Sequence, residues 1–198
     1  IPVKNSIDAS VINKIFNYNS INTLGTWRKT ITVVADDGDG NIHLNQMDTI
    51  ATRVENNSCD FDLYKIYFDA YVKDYSGPYP TYPGVKLDLE KNITDGRLVI
   101  DYTGHGGGHV WGSENVLDLQ FLQNVNNNIN LPLFIAATAD YNKFDDPADT
   151  SGGQIISLSN IGAGIACISS SRSAFSSSNF NFNQRLHSHK VILLFRQE

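Results

Sequence analysis

The chain is predicted to fold as a single α/β domain with a mostly parallel central sheet flanked by helices on both faces. Two observations carry this. Short β-branched or apolar runs alternate with segments of helical period, the mark of successive βαβ units. The first of these runs passes through an acidic turn straight into a helix, which is how such a unit begins. With 198 residues, 41% hydrophobic and 18% charged, the chain has an ordinary globular composition and enough length for a proper core.

Val11, Ile12, Ile15 and Phe16 recur at helical spacing, so a first amphipathic helix is expected over Ser6 to Tyr18, with Ser6 or Asp8 as N-cap. Thr30 to Ala35 reads as a buried strand that ends in the turn Asp36-Asp37-Gly38-Asp39-Gly40. Leu44, Met47, Ile50, Ala51 and Val54 then return to the helical period. Lys65 to Ala70 is the second expected strand. The Pro/Tyr/Gly segment Ser76 to Gly84 is irregular, and Val85, Leu89 and Ile93 mark another helix.

Arg97 to Ile100 predicts the third strand, followed by Asp101-Tyr102-Thr103-Gly104-His105-Gly106-Gly107-Gly108. Ser113 is expected to cap a short helix holding Val116, Leu117, Leu119, Phe121 and Leu122. Leu131 to Thr138 is the most apolar strand and opens into Ala139 to Pro147. Ser151-Gly152-Gly153 introduces a helix through Leu158, Gly162 to Ile168 forms a last core strand, and Phe180 to Phe195 a terminal helix. No internal repeat or interdomain linker divides residues 1–198.

The charge balance narrows the function classes. A net charge of -6 with scattered Lys and Arg argues against a nucleic-acid binder, because no basic patch would neutralise phosphates. No stretch of about 18 apolar residues exists to cross a membrane. No basic-then-apolar leader stands at Ile1, so any export signal is expected outside these residues. Cys59 and Cys167 are too few for a disulfide framework. Cys167, between Ala166 and Ile168, reads as a buried small hydrophobe, and Cys59 as an exposed bystander.

Three strand ends carry the chemistry: Asp36, His105 and Ala139. In a parallel sheet such ends share one edge, where ligands bind. Glycines around His105 remove the side chains that would hold a substrate backbone away. An acid beside a histidine fixes its tautomer, as in a catalytic triad. The competing reading is a plain turn in which His105 only caps a strand. What is missing is a nucleophile.

The acidic turn has a second reading. Asp37, Asp39 and Asn41 place oxygens at alternate positions, with His43 and Asn45 in phase and Asp48 at the twelfth position of a calcium loop. Ile42 stands where an EF-hand needs glycine, which argues against that motif. The alternative is a solvated turn. His105 and His109 are four apart, but the glycines between them disfavour a helix and hence a zinc pair. His187 and His189 are expected at the surface.

Tyr102-Thr103-Gly104-His105-Gly106, Trp111-Gly112, Leu131-Pro132 and Ala35-Asp36-Asp37-Gly38 together resemble the gingipain family of cysteine peptidases, with their caspase-like fold. The resemblance runs from about Ile1 to Ser178. Val34 to Asp39 and Phe144 to Pro147 look most like the sortase-like branch of the type IX secretion system. It implies a catalytic domain, part of a longer protein, with His105 as catalytic histidine and Asp36 as its orienting acid. Asp36 is expected to be an exposed turn carboxylate.

The family's nucleophilic cysteine belongs where Ala139 stands. The departure is read as an engineered Cys→Ala change, with a naturally non-catalytic binding domain as the alternative. The resemblance further implies oxyanion donors at Gly106 and residue 139, a substrate pocket with Gly107, and a looser structural calcium at Asp37 and Asp39. Trp111 walls that pocket if the loop is catalytic and is simply core if it is not. It implies no cofactor for the chemistry itself. Implied partners are a protein or peptide substrate, such as the C-terminal sorting signal of exported cargo, and other type IX secretion components. The implied location is the bacterial outer-membrane surface.

Overall fold

The computed structural model describes residues 11–57, 60–127 and 129–188. In chain order the elements are α1 (Val11–Tyr18), β1 (Thr30–Ala35), α2 (Gly38–Asn57), β2 (Asp62–Tyr67), α3 (Pro83–Asp95) and β3 (Val99–Thr103). There follow β4 (Gly106–Gly107), β5 (Val110–Trp111), β6 (Leu117–Asp118), α4 (Leu119–Asn124), β7 (Leu133–Ala137), α5 (Gly152–Leu158), β8 (Ala166–Ser169) and α6 (Ser176–Ser188).

Five strands form one parallel sheet in the order β2-β1-β3-β7-β8. Every position of β3 and β7 is buried, and so is all of β1 after Thr30. Alternate residues face opposite layers. Ile31, Val33 and Ala35 pack with Met47, Ile50 and Ala51 of α2, whereas Val34, Ile100 and Tyr102 pack with Val85, Leu89 and Ile93 of α3. The chain therefore leaves β1 over one face and returns to β3 over the other. The crevice between the C-terminal ends of β1 and β3 is the topological switch point, where open α/β sheets bind ligands.

Most expected elements are present with boundaries shifted by a few residues. The short helix is one correction. Leu117 lies in β6, and the helix begins only at Leu119, capped by the Asp118 side chain accepting from the Phe121 N–H at 2.9 Å. Asp118 wins over Ser113 because residues 110 to 118 are drawn into the small antiparallel sheet β4-β5-β6. Ser151 caps α5 through a capping box with Gln154. The terminal helix is described through Ser188, and the remainder of its predicted span lies outside the described residues, as do Cys59, His189 and the expected start of the first helix with its N-cap at Ser6 or Asp8.

The first helix corrects the hydrophobic pattern. Its buried residues are Val11, Lys14 and Tyr18, while Ile12, Ile15 and Phe16 are exposed. The reason is a polar anchor. Lys14 Nζ donates to the carbonyls of Ile156 (2.9 Å), Ser159 (3.0 Å) and Gly162 (3.2 Å), at and beyond the C-terminal end of α5. A cation suits carbonyls left unsatisfied at a helix end. His187 is likewise not a surface residue. Its Nε2 lies 2.7 Å from Asp101 Oδ2, and Asn183 Nδ2 donates to Asp101 Oδ1 at 2.8 Å, tying α6 to the middle of β3.

Replacing Lys14 by Met keeps the aliphatic stem but leaves three carbonyls unpartnered. Burial lowers the Lys14 pKa to about 7, so the amine is only partly charged at neutral pH. Lys14→Met is expected to destabilise the domain by about 1–3 kcal/mol, the cost of leaving buried carbonyls unpaired. Urea unfolding midpoints would show it. An unchanged midpoint would mean that the anchor contributes nothing net.

Candidate active site

Asp36 is the first residue past β1, and His105 lies two past the end of β3. Parallel pairing sets Ala35 against Thr103, which brings the two side chains to the same edge. The side chain of Asp36 is only 4% exposed. Oδ2 accepts from both the His105 backbone N–H and the His105 ring at Nδ1, each at 2.8 Å, and Oδ1 accepts from the Gly38 N–H at 2.8 Å. The expectation of an exposed turn carboxylate is thus corrected: Asp36 is buried because the histidine loop folds over it.

Since a carboxylate only accepts, His105 carries its proton on Nδ1 and turns Nε2 outward. That nitrogen lies 3.2 Å from Asp39 Oδ2, and the imidazole is 43% exposed. Reagents in solvent can therefore reach it.

The electrostatics agree with this arrangement. For Asp36, burial favours the neutral acid, but the N–H groups of His105 and Gly38 and the imidazole outweigh it and hold the carboxyl below its usual range. For His105, burial acts to lower the pKa, yet the hydrogen bond and charge of Asp36, then of Asp39, raise it above its ordinary value. His43 packs edge-on against His105, with ring centroids 5.0 Å apart. Burial, then the charge of His105, pushes His43 down.

The loop is fixed from beneath. Tyr102 Oη donates to the His105 carbonyl at 2.5 Å, and the Gly112 N–H donates to the same oxygen at 2.9 Å. The Tyr102 ring stacks on Trp111 at 4.5 Å and 8°. Trp111 is fully buried, in contact with Phe134 and Tyr141 as well. It is therefore a core support of the loop, the second of its two expected readings, held there by the pairing of Trp111 with Gly106 in the small sheet.

Two glycines are required by close approach. A methyl group at Gly38 would stand 2.7 Å from His105 ring atoms, and one at Gly104 would collide with the Tyr102 hydroxyl and Asp36. Beyond Gly38 the backbone of Asp39, Gly40 and Asn41 is left-handed (φ 53°, 63° and 63°), which delays the regular part of α2 and holds Asp39 over the histidine.

Ala139 lies two residues beyond β7, as His105 lies two beyond β3, and the register pairs Thr103 with Ala137. Gly106 lies close against Thr138, since a methyl group at Gly106 would meet Thr138 Oγ1 at 2.7 Å. Around Gly107 no atom lies within 4 Å of where a Cβ would be, so that stretch of backbone is open. Ala139 is half-buried, and Asp140 takes a left-handed φ of 58°. The serine-rich loop after β8 holds the segment: Ser170 Oγ donates to the Thr138 carbonyl at 2.6 Å, and the Asn142 N–H to the Ser170 carbonyl at 3.0 Å.

Cys167, expected to be a buried small hydrophobe, is only half-buried: it stands on the edge strand β8 in register with Phe134 and packs against the core, and burial pushes its thiol up to about 12.

Asp37 and Asp39, the expected calcium ligands, point to different neighbours. Asp37 Oδ2 accepts from Tyr82 Oη at 2.6 Å and Lys73 Nζ at 3.3 Å, and Lys73 also pairs with Glu114 at 2.8 Å. An ammonium thus already sits among the carboxylates on that side. Asp39 instead faces His105 and His43. His109 pairs separately with Asp149 at 2.7 Å. His43 and Tyr102 are site residues that sequence reasoning did not assign to the histidine; the i, i+4 spacing of Asp39 and His43 was the only local signal.

The family model described as peptidase family C25 matches residues 1–194. The chain belongs to this family. A search of curated proteins finds no match. Among solved structures, the chain is similar to the Arg-specific cysteine proteinase gingipain R (RgpB), with a TM-score of 0.73 at 15% identity, over 94% of this chain and 43% of that one. The complex of Porphyromonas gingivalis RgpB pro- and mature domains gives 0.73 at 16% identity, over 99% and 44%. A further protease gives 0.72 at 15%, over 92% and 38%. At these identities the likeness establishes the caspase-like α/β fold, and the C25 chain spans less than half the length of these structures. Among the described residues no helix is long and apolar enough to cross a membrane.

The pH dependence of the Asp36–His105 pair has a definite sign. With its pKa raised above 6.5, His105 adds stability that is fully present below 6.5 and is lost as pH rises through its folded value. Asp36, held below 3.8, adds stability above 3.8 that is lost as pH falls through its folded value. Asp36→Asn should therefore cost most stability between about pH 4 and 6.5, and less at pH 9 and pH 2. Denaturant midpoints across that range test it; a difference independent of pH would show that the two groups do not form an ion pair.

Proposed function

We propose that the chain is the catalytic domain of a cysteine endopeptidase whose nucleophile position is occupied by Ala139. The observation that carries this reading is the buried, triply hydrogen-bonded Asp36 orienting an accessible His105 beside the end of β7. A fold needs no such pair for packing. Acyl transfer needs it, to set one imidazole nitrogen free.

With a cysteine at position 139, the thiol would pass its proton to His105 Nε2, and the resulting thiolate would attack the scissile carbonyl carbon and form a C–S bond. The oxyanion would take N–H bonds from Gly106 and residue 139. His105 Nε2 would then donate its proton to the leaving amine as the C–N bond breaks. Water or a second amine would resolve the acyl-enzyme, with His105 accepting a proton from either. Within this reading the substrate is the C-terminal sorting signal of an exported protein, and the site of action is the outer-membrane surface, alongside type IX secretion components. The likeness of Val34 to Asp39 and Phe144 to Pro147 to the sortase-like branch supports that narrower assignment.

A second reading has one residue in its favour, Ala139 itself. Without a thiol no covalent step is available, and the same cleft would then bind a peptide without cutting it. The two readings differ in what position 139 is in the natural gene.

Ala139→Cys is expected to make the protein label with a thiol-directed peptidyl electrophile. His105→Ala in that background should slow labelling at neutral pH by about 10²–10⁴-fold, the usual contribution of a positioned acid–base group. Mass spectrometry at position 139 reads the result. Labelling at the same rate with and without His105 would remove the dyad from the mechanism.

A further inference from the structure

We propose that Asp39, His43 and His105 form a binding site for a zinc-type divalent transition-metal ion. One carboxylate oxygen and one nitrogen from each imidazole lie within 4.8 Å of one another. Asp39 Oδ2 is 3.2 Å from His105 Nε2 and 3.9 Å from His43 Nε2. Ligand atoms around tetrahedral zinc, at bonds of about 2.0–2.1 Å, stand roughly 3.3 Å apart. Small side-chain rotations would bring this group to that spacing.

The independent observation is His43. It is 6% exposed, its Nδ1 is buried without a hydrogen-bond partner, and its Nε2 faces Asp39 at a distance too long for a hydrogen bond. A buried polar ring left this poorly satisfied is costly; a metal bond at Nε2 would supply a partner on the Asp39 side, while Nδ1 on the other side stays unpaired. His105 has the remaining feature of a metal-ligating histidine, since its other nitrogen donates to the Asp36 carboxylate at 2.8 Å. That contact fixes the tautomer and raises the basicity of Nε2.

Two imidazoles with one carboxylate select zinc, cobalt or iron(II) over calcium or magnesium, which prefer oxygen ligands. Three protein ligands would leave a fourth coordination position for water or another small ligand. The consequence for catalysis rests on the peptidase reading: a metal on Nε2 takes the lone pair that would otherwise move protons, so the bound ion would hold the site silent. The binding site itself does not depend on that reading.

Binding is measured on the chain as it stands, with Ala139 in place, by Zn²⁺ titration against a chelating dye and by the visible spectrum of added Co²⁺. The expected result is one ion per chain with the intense bands of four-coordinate Co²⁺. Asp39→Asn and His43→Gln should each weaken Zn²⁺ binding by at least about tenfold, and Asp36→Asn by about 10–100-fold as an outer-shell partner. His109→Ala should change nothing. Asp39 is 64% exposed in its side chain, so Asp39→Asn keeps the test decisive should His43→Gln fail to fold. Absence of binding in the unmodified chain, or binding that survives Asp39→Asn undiminished, overturns the site. Neither outcome bears on labelling at position 139, so failure of the metal site and failure of the peptidase reading are separable.

Discussion

The carboxylate of Asp36 is the contact on which the site depends. It is nearly removed from water, and an unpaired charge there would be strongly unfavourable. Three donors resolve the problem, and all of them come from the two segments that follow β1 and β3. Satisfying one buried acid thus forces the Gly38 turn and the His105 loop together. The Nδ1 bond decides the tautomer of His105, and the three together fix the direction of Nε2, which faces Asp39.

This junction tolerates little else nearby. Gly38 and Gly104 have no room for a methyl group because the imidazole, Asp36 and Tyr102 already fill it. Below the loop, Tyr102 and Trp111 form a stacked floor, and the Tyr102 hydroxyl holds the His105 carbonyl. The catalytic-type residues therefore rest on a rigid aromatic layer of the core, which is how a site keeps its geometry without relying on flexible surface contacts. Above the loop, the left-handed run from Asp39 to Asn41 brings a second carboxylate and His43 to the outward side. The histidine is shared between an inner acid that orients it and an outer group that can take up its remaining nitrogen.

Much of the architecture was legible in the chain. Thr30 to Ala35, Leu131 to Thr138 and the periodic helices around Met47 and Leu89 follow directly from β-branched runs and helical spacing. Failures occurred where a polar contact outweighed the hydrophobic pattern. Lys14 turns α1 so that Ile12 and Phe16 face outward, because three carbonyls at the end of α5 demand a cation. Asp101 draws His187 and Asn183 inward for a similar reason. The helix expected from Ser113 gave way to β6 because antiparallel pairing with the glycine loop engages Val110 to Asp118 first.

By itself the sequence carried the fold class, the family resemblance and the expectation that Asp36 meets His105. Strand runs that end at defined residues, glycines that open a loop, and an order of motifs along the chain carry these, whereas a nucleophile position at Ala139 is only what the resemblance implies. Tertiary structure alone decided that Asp36 is buried, that Trp111 is a floor and not a wall, that Asp37 answers to Lys73, and that Asp39 and His43 meet His105. Those facts depend on which residues are juxtaposed across the switch point between β1 and β3, and on how much water that junction excludes. Neither quantity is encoded in the spacing of any single segment.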